Sequence, residues 1–88
     1  MSVSDSSGQV RLTLYARRYC HLCDDMLAAL EPLAPALDFV LDVADVDEDP
    51  ALEARYGELV PVLAHEQVSI CHYFLDRAAL TAYLAAFR

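Results

Sequence analysis

The apolar pattern of this chain predicts an α/β domain built on one mixed sheet. Three observations carry that expectation: apolar residues alternate over 10–15, fall three or four apart from Cys20 onward, and return as short alternating runs over 38–43 and 62–71. A strand, a helix and a second strand in that order make a right-handed crossover with a parallel strand pair. A later hairpin can then add antiparallel strands to the same sheet. At 88 residues the chain has room for one such domain and no second.

Val10, Leu12 and Leu14 alternate with Arg11, Thr13 and Tyr15, which reads as a half-buried first strand. Residues 1–9 ahead of it are polar and read as a flexible N-terminal leader, leaving 10–88 as the folded domain. Beyond Cys20, the positions Leu22, Met26, Leu30 and Leu33 form the stripe of an amphipathic helix. Asp24, Asp25 and Glu31 take its other faces, and Pro32 and Pro35 are expected to close it.

Asp38 to Val43 alternates again and predicts a second strand, with Phe39, Leu41 and Val43 on one side. The acidic run 45–49 is expected as a solvated loop and helix start. Asp49 can cap a short helix whose first position is Pro50 and which stops at Gly57, with Leu52 and Tyr56 facing inward. Residues 62–65 and 68–71 read as two strands joined at Glu66-Gln67. Leu80, Tyr83, Leu84 and Phe87 then form a last helix behind Asp76, a candidate N-cap. The expected order is β-α-β-α-β-β-α.

Fourteen acidic residues face six arginines and no lysine, a formal net charge of −8. No basic stripe can displace counterions from phosphates, so neither nucleic acid nor an anionic membrane surface is an expected partner. No apolar stretch approaches the roughly 18 residues that span a bilayer, and residues 1–9 lack the basic and apolar regions of a secretory signal. A cytoplasmic, monomeric protein is expected. Under reducing conditions three cysteines are not a stapling framework, so the close pair Cys20 and Cys23 points to chemistry.

A thiol attacks a disulfide as thiolate, and an ordinary cysteine is mostly protonated at neutral pH. Cys20, at the junction of strand and helix, is expected to meet free backbone amides and the positive end of the helix dipole. Both favour the anion. Arg17 and Arg18 add positive charge nearby, and His21 can contribute when protonated, while Asp24 and Asp25 act the other way. Cys23 falls on the same helical face, within reach for a reversible disulfide. Cys20 is then the nucleophile and Cys23 the resolving thiol of a dithiol oxidoreductase.

Two other classes use the same residues. A zinc or iron–sulfur protein would recruit Cys71, His65, His72 or His21 to the pair, although adjacent Cys71 and His72 make a poor second ligand pair. A non-enzymatic binding module would keep the fold and leave the cysteines idle. Metal is not the expected reading, and no cofactor is called for.

Leu14-Tyr15 before Cys20-His21-Leu22-Cys23, the segment Val43 to Asp47 followed by a helix over 50–57, and Val60-Pro61-Val62 together give the chain its resemblance. It resembles the glutaredoxin branch of the thioredoxin-fold superfamily, over nearly its whole length. That resemblance implies a four-stranded mixed sheet flanked by helices, a role in cell redox homeostasis, and a cis proline at Pro61 beside the cysteines. It also implies substrate contacts at Val60, Pro61 and Leu22, where the backbone of Val60 would bind an extended peptide or glutathione. The implied partners are therefore protein or small-molecule disulfides and thiols, with glutathione as a candidate co-substrate.

The chain departs from glutaredoxins in having His21 and Leu22 for the familiar Pro-Tyr, and Ile70 to Asp76 where a Gly-Gly turn usually stands. The last strand would run back toward the cysteine motif. Cys71 is consequently a candidate auxiliary thiol, with an inert buried role as the favoured reading. His65, near the hairpin turn, is expected at the far end of the sheet as a surface residue.

Overall fold

The computed structural model describes residues 10–87, and the leader expected at 1–9 lies outside the described residues. Strand β1, Val10–Ala16, leads into helix α1, His21–Leu30. Helix α2, Leu33–Leu37, precedes strand β2, Phe39–Asp45. A 3-10 turn at Val46–Glu48 connects to helix α3, Pro50–Tyr56. Strands β3, Val62–His65, and β4, Val68–His72, form the hairpin, and helix α4, Arg77–Phe87, follows.

The strands form one sheet in the order β2-β1-β3-β4. β1 is parallel to β2, with Leu12 opposite Leu41, and antiparallel to β3, with Leu14 opposite Leu63. β4 returns antiparallel to β3, and its register shifts between Leu63 and Ala64. This is the mixed four-stranded sheet of the thioredoxin fold.

The two-residue period of β1 sends Val10, Leu12 and Leu14 to one face, where they pack with Met26 and Leu30 of α1, Phe39, Leu63, and Leu80 and Leu84 of α4. The other face packs Val62 and Ala64 against Val46 and Tyr56, joined by Tyr15, Leu52 and Val60. Tyr15 and Tyr56 stack there at 4.2 Å. All four residues of β3 are buried because a central strand between two helical layers has no solvent face. Each fully buried leucine contributes about 1.5–3 kcal/mol relative to an exposed one.

Side chains fix the element starts. Asp49 accepts the amide of Ala51 at 2.9 Å, with Pro50 at the first helical position, and Asp76 accepts the amide of Ala79 at 2.9 Å ahead of α4. Such caps contribute about 1 kcal/mol each.

Two expectations are corrected, at the helix after Cys20 and at His65. The helix after Cys20 ends at Leu30, and Leu33 belongs to a separate helix that contains Pro35 rather than being ended by it. Proline is tolerated there because a first-turn amide has no partner four residues back. Val43 is 56% exposed although Phe39, on the same side of β2, is buried. β2 is an edge strand, and at Val43 it borders an open cleft shared with Leu14, Ala16, Cys23 and Leu27.

His65 lies at the far end of the sheet but is no surface residue: it is buried at 7% exposure. Its Nδ1 is hydrogen-bonded to the Tyr83 hydroxyl, and its ring meets those of Tyr83 and Phe87 edge-on. Helix α4 supplies that cover. Among the described residues, no helix is long and apolar enough to cross a membrane.

Candidate functional site

β1 ends at Ala16, and the chain turns so that Cys20 becomes the N-cap of α1, with extended backbone at φ −119 and ψ 106. The amide of Cys23 donates to Cys20 Sγ at 3.2 Å, so a sulfur takes the place usually held by a serine or aspartate oxygen. Tyr19, just before it, adopts φ 58 and is fully exposed. A left-handed non-glycine residue costs about 1–3 kcal/mol and is characteristic of functional sites.

The two sulfurs occupy unlike environments. Cys20 is half-buried, whereas Cys23, on the next turn, is 3% exposed. Burial, and then hydrogen bonding to Cys20, pushes the Cys23 thiol from its ordinary 9.0 up to about 11, against a backbone hydrogen bond at Arg17 that acts the other way. His21 and Asp24 are exposed on either side.

Arg17 and Arg18 follow β1 as expected and line one cleft with Cys23, and the Arg17 guanidinium also reaches the acidic run. Arg17 donates to both Asp47 and Glu53 at 3.1 Å, and Arg18 lies 4.0 Å from Asp45. The hydrogen bond to Glu53 is the main cause of a raised Arg17 pKa. The run 45–49 is correspondingly ordered: Asp45 accepts the amide of Asp47 at 2.8 Å, and Val46 is fully buried.

The Val60-Pro61 peptide bond is cis. Pro61 is buried, and its carbonyl accepts the amide of Tyr73 at 2.9 Å. The Tyr73 hydroxyl donates to the carbonyl of Glu58 at 3.0 Å, so one residue braces both sides of the Val60-Pro61 segment. Tyr73 itself holds φ 64. Leu22 is half-buried and lines a groove with Tyr73 and Phe74.

Tyr19, Tyr73 and Phe74 were not singled out from sequence. The signal available was a Tyr-Phe pair between the last strand and Asp76, in a segment whose composition gives no reason for exposed aromatics. Only the positive φ at Tyr19 and Tyr73 shows which way the chain turns there.

Cys71, opposite Leu63 on β4, packs against the α1–α4 core and lines a separate cleft with His72 and Asp76. It does not line the cleft that holds Cys23, and burial pushes its thiol up. No group of three or more His, Cys, Asp or Glu side chains is placed to hold a metal ion among the described residues. His65, one of the ligands considered from sequence, is instead occupied by Tyr83.

With this geometry in hand, comparison with known proteins is specific. The model of the Glutaredoxin-like domain (DUF836) matches residues 11–85. The solved structure of protein Ne2328 from Nitrosomonas europaea is 40% identical, with a TM-score of 0.74 over 83% of this chain and 88% of that one. Protein XcR50 from X. campestris is also 40% identical, with a TM-score of 0.66 over 85% of this chain and 96% of that one. Fasciola hepatica thioredoxin, at 15% identity and a TM-score of 0.61, shares the fold over 92% of this chain and 83% of its own. No curated protein matches. Matching 75 of 88 residues to one family model, on a sheet and helix order of the thioredoxin type, this chain belongs to the glutaredoxin-like (DUF836) family of thioredoxin-fold proteins.

Proposed function

We propose that this protein is a thiol–disulfide oxidoreductase in which Cys20 attacks and Cys23 resolves. The observation that carries the proposal is the asymmetry of the pair: a half-exposed sulfur at a helix amino end, hydrogen-bonded by an amide at 3.2 Å, above a buried thiol held at about 11. The amide and the helix dipole stabilise negative charge on the attacking sulfur. Cys23 stays protonated until the first step is complete.

Cys20 Sγ attacks one sulfur of a substrate disulfide. That S–S bond breaks, the departing thiolate takes a proton, and a Cys20–substrate mixed disulfide forms. Cys23 then gives up its proton and attacks Cys20 Sγ, releasing the second substrate thiol and leaving a Cys20–Cys23 disulfide. The substrate is reduced by two electrons and the protein oxidised by two. An external dithiol or glutathione returns the pair to the reduced state, as the cytoplasm permits.

In this scheme the backbone of Val60, with Pro61 and Leu22, binds the substrate chain, and His21 acts beside the attacking sulfur. Arg17 has the lesser share, being bonded to Asp47 and Glu53, and Arg18, 77% exposed, adds positive charge to the cleft at Cys23. No resident cofactor is required.

Mass spectrometry after mild oxidation and alkylation tests the proposal. The expected product has lost two hydrogens and links Cys20 to Cys23. A Cys23→Ser variant is expected to accumulate mixed disulfides through Cys20. Failure of both the disulfide and the adducts to form would leave the non-enzymatic binding module as the better account.

A further inference from the structure

We infer that the disulfide substrate is a polypeptide carrying an apolar side chain and a basic residue beside its reacting cysteine, and that the site selects this over glutathione. This specificity rests on the exchange function proposed above. Three features of the surface around Cys20 point to it.

The first is a groove of about 270 Å³ between α1 and the segment joining β4 to α4, lined by Leu22, Asp25, Met26, Tyr73, Phe74 and Leu75. Leu22 is two residues along the chain from Cys20, and the Tyr73 amide is bonded to the Pro61 carbonyl, so the groove is built by the two segments that flank the cysteine motif and the cis proline. Its floor is apolar. An extended chain whose cysteine meets Cys20 can lay a neighbouring side chain in it.

The second is an apolar rim left in water. Phe74 is 68% exposed, and Tyr73 and Leu59 are also exposed alongside the fully exposed Tyr19. Tyr19 and Tyr73 are both held at positive φ, a backbone cost with no return in internal packing for Tyr19. Exposed aromatics that cluster around a reactive group are characteristic of protein-binding surfaces.

The third is charge. Asp25 faces the groove, and Asp24 stands beside it on the same first turns of α1. Neither forms an ion pair among the described residues. Arg17, bonded to Asp47 and Glu53 at 3.1 Å, and Arg18 line a different cleft, with Cys23, and no cation among the described residues lines this groove. Glutathione, anionic at neutral pH, meets the unpaired Asp25 there, whereas a basic peptide is attracted both by this rim and by the net charge of −8.

The test measures rates at which five disulfides oxidise the reduced protein. They are a peptide disulfide with phenylalanine and arginine flanking its cysteine, the same peptide with glutamate for arginine, the same peptide with alanine for phenylalanine, oxidised glutathione, and the small neutral hydroxyethyl disulfide. At low salt the arginine peptide is expected to react about tenfold faster than the glutamate peptide or oxidised glutathione, a gap that shrinks as salt screens the rim. Asp25→Asn is expected to lower the arginine-to-glutamate rate ratio several-fold. Glu31→Gln, an equal charge change at the far end of α1, should leave that ratio alone. Phe74→Ser should remove the advantage of phenylalanine over alanine in the peptide.

Equal rates for oxidised glutathione and the arginine peptide, or a ratio unmoved by Asp25→Asn, would overturn the specificity while leaving exchange intact. If the neutral disulfide also fails to oxidise Cys20 and Cys23, the exchange function itself falls, and the specificity with it.

Discussion

Strand β3 has two ends, and they differ in how completely their polar and aromatic groups are satisfied. At the His65 end the ring is buried, hydrogen-bonded to Tyr83 and boxed edge-on by Phe87. At the Pro61 end stand an exposed Tyr19 and Phe74 and a half-buried Cys20. A satisfied polar cluster stabilises a fold, whereas an unsatisfied one is available to a ligand. Of these two ends, the incomplete one is the end that the proposed exchange uses.

Substitutions should separate the two ends. The largest effect is expected from Cys20→Ser, which should abolish disulfide exchange, a loss of at least about a hundredfold because it removes the thiol at the α1 amino end and leaves only two thiols that burial holds protonated. Thermal unfolding of that variant should match the parent. At the opposite end, His65→Ala should leave exchange rates unchanged while costing about 2–3 kcal/mol in denaturant unfolding, since it empties a buried site and orphans the Tyr83 hydroxyl. Loss of exchange in the second variant, or of stability in the first, would break the division between the ends.

The Cys23 thiol sharpens it. Folding holds this proton to about 11 against an ordinary 9.0, so the unfolded chain releases it first as pH rises. Stability from this group is therefore complete below about pH 9 and lost through about pH 11. Unfolding free energies measured across that window should fall less steeply in Cys23→Ser than in the parent. The smallest effect is expected at the α4 cap: Asp76→Ala should cost about 1 kcal/mol, read in denaturant unfolding, because it frees the Ala79 amide.

Much of this was legible in the residues. The period of two in 10–15, the stripe Leu22, Met26, Leu30, and the caps at Asp49 and Asp76 are local patterns, and each corresponds to an element boundary or buried face in the structure. The pair Cys20 and Cys23 was visible for the same reason, since three residues of spacing suffice to place them on one helical turn. Pro35 misled because a proline inside a helix and one that ends it differ only in its position within the turn. The exposure of Val43 was not legible, because alternation shows which residues share a face, not whether anything covers that face.

By itself, then, the sequence determined the four strands, the helices α1, α3 and α4 in their order, and the cysteine pair at a helix start, because all three depend on neighbours within a turn or a strand. Tertiary structure alone decided the rest. Arg17 finds Asp47 and Glu53, 30 and 36 residues away, and His65 finds Tyr83, 18 residues on, so whether a charge or a ring is spent or free depends on partners that only folding brings near. The left-handed turns at Tyr19 and Tyr73, which frame the sulfur with exposed aromatics, belong to the same class: side chains of no special pattern, aimed by the way the sheet and helices meet.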